Sequence, residues 1–202
     1  MTSNASTPQA EKHMQIKLNP PGDSGVWIPI TLDAFVFLAM FTFFTLDRIA
    51  DPILFEQSRL HLNVIIGFSN TLVLLTSSWF VVKAVQAARV RIPAKVKSNL
   101  LFAMLLGLTF GVLKIVGYYQ DIMVGHSITA NQFFGYYFSI TGLHFVHVMV
   151  GLALLTICFF KAQRGPVDEK YLVWIESGAT FWHMVDMLWV MIFPMFYLLR
   201  AI

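Results

Sequence analysis

Seven ionisable side chains lie within long apolar runs of this 202-residue sequence. A charged side chain at the centre of a bilayer costs about 2.5–3.5 kcal/mol on insertion scales, so those that persist usually face protein or water. Residues of these types can form hydrogen bonds between helices, transfer protons or ligate a metal. The seven residues are Asp33, Lys114, His144, His147, Glu176, His183 and Asp186.

The spacing of these residues places several of them on shared helical faces. His144 and His147 are three residues apart, as are His183 and Asp186, and Glu176 lies seven residues before His183. Residues separated by three, four or seven positions lie on one side of a helix. The sequence therefore predicts a polar stripe on each of two helices, and we expect the two stripes to face each other.

Three histidines and one carboxylate at similar depth could also serve as ligands of a metal or a haem. Haem normally takes its ligands from opposite sides, so two histidines on one helix face suit it poorly. Hydrogen bonds between helices account for the same residues without a cofactor. The sequence shows no catalytic triad, cysteine cluster or glycine-rich phosphate loop. We favour the hydrogen-bonded network and expect no metal or cofactor in this chain, with a haem or metal site as the alternative.

The composition limits the classes of protein to which the chain can belong. Hydrophobic residues make up 57% of it, charged residues make up only 12%, and the mean hydropathy is +0.67, which excludes an ordinary soluble domain. A single cysteine, Cys158, excludes a disulfide scaffold. The net charge is only +3 and most cations flank apolar runs, so we expect no nucleic-acid partner.

Five runs are long enough to cross a bilayer core of about 30 Å as helices. The sequence therefore predicts an all-α polytopic membrane protein with five transmembrane helices. We expect residues 1–25 to form an exposed cytoplasmic tail and residues 26–202 to form the transmembrane domain. The predicted spans are about 26–46, 62–82, 98–118, 134–160 and 174–199.

The distribution of cations predicts the orientation. If alternate segments lie on the same side, ten Lys and Arg residues fall on the side of the N-terminus and three on the other. Positive charge accumulates on the cytoplasmic side of short loops. We therefore expect a cytoplasmic N-terminus and an external C-terminus. The ten are Lys12, Lys17, Lys83, Arg89, Arg91, Lys95, Lys97, Lys161, Arg164 and Lys170.

A rise of 1.5 Å per residue also gives predicted depths. Asp33 is expected about 10 Å from the cytoplasmic face, apart from a deeper group in which Asp186 accepts a hydrogen bond from His147 or Lys114. For Asp33 two interpretations remain: a protonated carboxyl group, or a carboxyl group hydrogen-bonded to a neighbouring helix.

Four strings of polar residues set in apolar sequence occur in a defined order. They are TLDAFVFLAMFTFF around Asp33, SNTLVLLTSS at 69–78, YYFSITGLHFVHVMVGL at 136–152 and FWHMVDMLWVMIF at 181–193. Together they resemble the cytochrome c oxidase subunit III family of the haem-copper oxidases, in its five-helix short form. The resemblance covers about residues 25–200.

This resemblance implies a non-catalytic subunit of a respiratory complex in a bacterial-type inner membrane. The complex would transfer electrons from cytochrome c or quinol to oxygen, with haem and copper held by its catalytic subunit I. The chain itself would carry neither haem nor copper. It would pack against subunit I and other subunits, bind phospholipid and support proton uptake, with Asp33 as a proton-collecting carboxyl group.

Two positions depart from the oxidase pattern. Oxidase members carry a glutamate at the place of Asp33, and a glutamine and a glutamate where this chain has Lys114 and nearby Tyr118. These features resemble the NorE-like branch associated with nitric oxide reductases, in which the partner would hold haem and non-haem iron. An alternative of another class is a stand-alone proton or ion carrier.

Overall fold

The computed structural model describes residues 22–200, and the secondary structure in this range is helical. Residues 1–21, which form most of the predicted tail, lie outside the described residues. A short 3₁₀ turn, Ser24–Val26, precedes the first helix, and a π-helical turn, Pro194–Leu198, follows the last. The helices are α1 (Trp27–Ala50), α2 (Pro52–Leu60), α3 (Val64–Arg89), α4 (Pro93–Met123), α5 (Gln132–Arg164) and α6 (Glu169–Phe193).

Five of these helices are long and apolar enough to cross a membrane, which confirms the predicted fold class. They are α1, α3, α4, α5 and α6, the last with its π-helical turn. Several helices extend beyond the predicted spans, because a helix continues into the interface past its apolar part. The predicted third span, 98–118, is the central part of α4.

Side-chain caps fix where several helices begin. Asn63 accepts hydrogen bonds from the amides of Ile65 and Ile66 at the start of α3, and Asn131 and Asp168 cap α5 and α6 in the same way. Such caps satisfy amide groups that have no partner within the helix. The loops between the spans are therefore ordered by specific contacts.

The short helix α2 was not predicted. It begins at Pro52, and the Asp51 side chain caps it by accepting from the Leu54 amide. Arg59 fastens it to the end of the bundle, since its Nη1 donates to the Tyr197 carbonyl at 3.1 Å. The hydrogen bond from Arg59 to the Glu56 carboxylate raises the pKa of the guanidinium, so Arg59 keeps its charge.

The core of the bundle is built around α6. Trp182 is fully buried and packs where two glycines leave room: a Cβ at Gly107 or Gly151 would lie 2.8 or 2.7 Å from its ring. Gly107 thus lets α5 and α6 approach α4 closely. A Cβ at Gly111, by contrast, would lie 3.6 Å from its nearest neighbour, Phe145.

Helix α1 lies at the edge of the bundle. Its buried side chains are Phe37, Phe41 and Phe44. Towards its end, Asp47 accepts hydrogen bonds from Gln132 at 2.6 Å and from Tyr136, both on α5. Helix α1 is therefore held by a row of aromatic rings and by polar contacts.

Candidate functional site

Asp33 on α1 and His147 on α5 form a pair. The distance from His147 Nε2 to Asp33 Oδ2 is 3.0 Å, and the side chains are 14% and 23% exposed. The other ring nitrogen, Nδ1, lies 2.8 Å from the Leu143 carbonyl, which can only accept. Because Nδ1 must donate there, a second proton has to lie between Nε2 and the carboxyl group. Besides the proton on Nδ1, the pair therefore shares one further proton, either as imidazolium with carboxylate or as imidazole with carboxylic acid.

This pairing corrects the expectation that Asp33 stands apart and that His147 pairs with Asp186. The predicted depths assumed helices ending in one plane. In the structure Asp23, just before α1, and Cys158, well before the end of α5, both contact α6 near 177–178. From that level Asp33 and His147 are each ten or eleven residues away, about 15 Å at 1.5 Å per residue. The helix ends are staggered, so the two side chains meet.

His144 lies fully buried between α4 and α6. Its Nε2 donates to the Val185 carbonyl at 3.1 Å, and its ring packs against Phe110 and Trp189. Its Nδ1 has no hydrogen-bond partner within residues 22–200. His144 therefore joins α5 to the backbone of α6.

Lys114 lies in an aromatic cage, which corrects the expected hydrogen bond to Asp186. Its Nζ donates to Tyr137 Oη at 3.2 Å and lies 4.6, 4.5 and 5.2 Å from the ring centroids of Tyr118, Tyr137 and Trp189. Aromatic faces attract cations, most strongly where water is excluded. Lys114 is 2% exposed, and the described carboxylates do not reach ion-pair distance from it.

The polar stripe of α6 faces α3, whereas we expected it to face the stripe of α5. His183 Nδ1 lies 2.6 Å from Ser78 Oγ on α3 and 3.9 Å from Asp186 Oδ2. Glu176 pairs with Arg89 at the end of α3, at 2.9 Å. The α5 histidines instead contact α1 and the α6 backbone, so the two stripes belong to different helix interfaces.

Sequence reasoning missed a group of tyrosines near Lys114. Tyr137 Oη lies 3.1 Å from Tyr197 Oη, and Tyr118 Oη lies 2.7 Å from Thr141 Oγ1. Aromatic residues in apolar runs are usually assigned to packing or to the interface, so the hydroxyl groups gave no separate signal. Only Tyr118, four residues after Lys114 on α4, could have been linked to it from sequence; Tyr137 and Tyr197 belong to other elements.

The three intramembrane histidines have separate partners: Val185, Asp33 and Ser78. Across residues 22–200, His, Cys, Asp and Glu side chains do not gather in groups of three that could hold a metal ion. The arrangement supports hydrogen bonding and proton transfer between helices. It brings together two polar centres, one at Asp33 and His147 and one at His183 and Asp186.

Comparison with known proteins shows which family this chain resembles. The model of the family described as cytochrome c oxidase subunit III matches residues 22–200. A probable cytochrome c oxidase subunit 3 of Rickettsia prowazekii is 30% identical over 139 residues, which cover 67% of this chain and 49% of that protein. The cytochrome bo(3) ubiquinol oxidase subunit 3 of Buchnera aphidicola is 26% identical over 181 residues, 88% of this chain and 86% of that protein.

A third relative is the cytochrome c oxidase subunit 3 of Synechocystis, 26% identical over 176 residues, which are 87% of this chain and 74% of that protein. The chain spans about half the length of the Rickettsia relatives that it matches.

Proposed function

Because the chain belongs to the cytochrome c oxidase subunit III family, whose model it matches over residues 22–200, we propose that it is a non-catalytic subunit of a haem-copper respiratory complex. It is a multi-pass membrane protein, and the complex would lie in a bacterial-type inner membrane with the N-terminus of this chain in the cytoplasm. A catalytic subunit I would hold the haem and copper. This chain would support assembly, lipid retention and proton uptake.

The observation that carries the proton role is the pair of Asp33 and His147. It holds one proton on two groups from different helices, and both side chains are partly exposed. In the assembled complex, polar groups of a neighbouring subunit that cover this exposed part would exchange the proton with the pair, since hydrocarbon cannot carry it. In this proposal the pair collects protons for the catalytic subunit.

A basic groove supports the lipid role. It has a volume of about 480 Å³ and is lined by Lys161 and Arg164 beside the apolar side chains of Ile157 and Phe160. Lys161 Nζ also lies 3.8 Å above the ring of Trp174. A phospholipid matches this surface, since its phosphate would lie near the cations and its acyl chain along the apolar wall.

The position of Lys114 favours a second candidate function. The caged lysine stands where we expect glutamine in oxidase members, so the chain is also a candidate accessory subunit of a nitric oxide reductase, as in the NorE-like branch. The partner's metal would then include non-haem iron. Both candidates give this chain the same non-catalytic position.

Purification from native membranes tests the assembly. We expect an affinity-tagged form of this chain to copurify with a catalytic subunit that contains haem, and deletion of the chain to shorten the turnover lifetime of that complex. The metal content and the electron acceptor used by the complex separate the two candidates. A complex that kept its turnover lifetime without the chain, or a chain that purified without a haem subunit, would contradict the proposal.

The substitution Asp33→Asn tests the proton role. The amide cannot exchange a proton with His147, so we expect slower proton uptake during turnover, with an intact complex. Asp33→Glu should restore uptake, and Asp23→Asn, which removes an exposed carboxylate on the same side of the bundle, should leave it unchanged. Equal uptake in wild type and Asp33→Asn would rule out a proton-collecting role for the pair.

A further inference from the structure

A groove between α3 and α6 contains polar groups that the proposed function does not use. Its volume is about 210 Å³, and its lining includes Gln86, Arg89, Glu176, Thr180 and His183. These residues belong to membrane-spanning helices. Arg89 and Glu176 bind each other, Thr180 donates to the Glu176 carbonyl, and His183 contacts Ser78. A guanidinium and a carboxylate have more hydrogen-bonding groups than these contacts use, so the lining favours a polar occupant over hydrocarbon.

The groove begins at an ion pair and ends at His183, which lies beside a buried carboxyl group. Arg89 and Glu176 form the ion pair, 2.9 Å apart, where α3 ends and α6 begins. At the other end, His183 lines the groove and lies 3.9 Å from Asp186. The chain of polar groups therefore runs from the end of the bundle into its interior.

Asp186 needs hydrogen bonds that the neighbouring protein groups do not supply. The residue is 3% exposed, and neither carboxyl oxygen has a hydrogen-bond partner among residues 22–200. Buried polar atoms in folded proteins almost always bind protein groups or ordered water. Asp186 does not itself line the groove, but His183, which lies 3.9 Å from it, does, so water at that end of the groove is a nearby source of the missing hydrogen bonds.

We propose that the α3–α6 groove is a water-filled inlet that connects Asp186, through His183, with the aqueous phase at the Arg89–Glu176 end. The groove has room for about seven water molecules at roughly 30 Å³ each. Water within it satisfies the polar lining and brings exchangeable protons to the His183 ring. This inlet is separate from the pair of Asp33 and His147, which lies between α1 and α5.

Cysteine labelling in membranes that contain the assembled complex tests the inlet. In a Cys158→Ser background, Thr180→Cys places a thiol of similar size in the groove, and Leu101→Cys places one on the exposed surface of α4. The probe is a charged methanethiosulfonate. We expect Thr180→Cys to react about tenfold faster or more, because only the thiolate reacts and it forms in water. Gln86→Cys gives a second groove position if Thr180→Cys folds poorly.

A blocking substitution tests the direction of access. Ser78→Cys places a thiol beside His183, and Val82→Trp fills the groove one turn nearer to Arg89 from a side chain that is already 39% exposed. We expect Val82→Trp to slow labelling of Ser78→Cys about tenfold, because the reagent must pass that level to meet the thiolate. Labelling of groove thiols no faster than Leu101→Cys, as a lipid or a partner helix in the groove would produce, overturns the proposal. Unchanged labelling behind Val82→Trp overturns it as well.

Discussion

Lys114→Ala is expected to lower the free energy of unfolding by about 2–5 kcal/mol, the cost of truncating a long buried side chain to alanine. Lys114 is 2% exposed, and its stem fills space between α4 and the two helices that follow. The substitution leaves a cavity, removes the donor to Tyr137 Oη and empties the cage of three rings. Unfolding of the detergent-solubilised chain by denaturant measures the change.

Lys114→Met separates the contribution of the charge from that of the volume. Methionine fills most of the same space without a charge, and swaps that conserve volume usually cost less than about 1.5 kcal/mol. The buried ammonium also carries a desolvation cost that a thioether does not. If Lys114→Met destabilised the chain as much as Lys114→Ala, the stabilisation would come from the cation held by the rings. Our expectation that it comes from the volume of the side chain would then be wrong.

Trp189→Ala is expected to destabilise the chain by about 3–5 kcal/mol, as truncation of a buried tryptophan usually does. Trp189 is fully buried, and its ring packs against Phe110 and His144 and forms one wall of the cage around Lys114. Its Nε1 also donates to Thr71 Oγ1 at 3.0 Å, which joins α6 to α3. The same denaturant titration measures this effect.

Two milder substitutions serve as controls for Trp189. Trp189→Phe keeps an aromatic ring and loses the hydrogen bond. Thr71→Val keeps the indole and removes its acceptor, together with the hydrogen bond that Thr71 Oγ1 donates to the Gly67 carbonyl within α3. A single hydrogen bond contributes about 0.5–1.5 kcal/mol, so Thr71→Val should cost far less than Trp189→Ala. Equal costs for Thr71→Val and Trp189→Ala would mean that the hydrogen bond, and not the packing of the ring, holds the helices together.

The five spans could be predicted because a membrane helix must satisfy all of its backbone hydrogen bonds internally, which imposes long apolar runs. The short helix α2 escaped because nine residues of mixed polarity give no such signal. Its sequence marker is local: the capping residue Asp51 followed by Pro52. Hydropathy therefore found the helices that span the bilayer and missed the one between spans.

The polar residues could be found from sequence, but their partners could not. Asp186 was expected to accept from His147 or Lys114, whereas the stagger of the helix ends brings His147 to Asp33. A carboxylate was expected for Lys114, whereas three aromatic rings surround it. Burial in a membrane requires a polar residue to have a partner, but the choice of partner depends on relative helix heights and rotations. Those are properties of the packed bundle and are absent from any single span.

The position of α1 at the edge of the bundle has a consequence for assembly. If α1 swung outward, the imidazole of His147 would lose the group that shares its proton and would meet hydrocarbon. A neighbouring subunit that displaced α1 would then have to present its own carboxyl or carbonyl oxygen at that height. The surface that binds α1 therefore requires a helix with a hydrogen-bonding group at the height of His147 as well as a matching shape. A purely apolar helix is a poor substitute for α1.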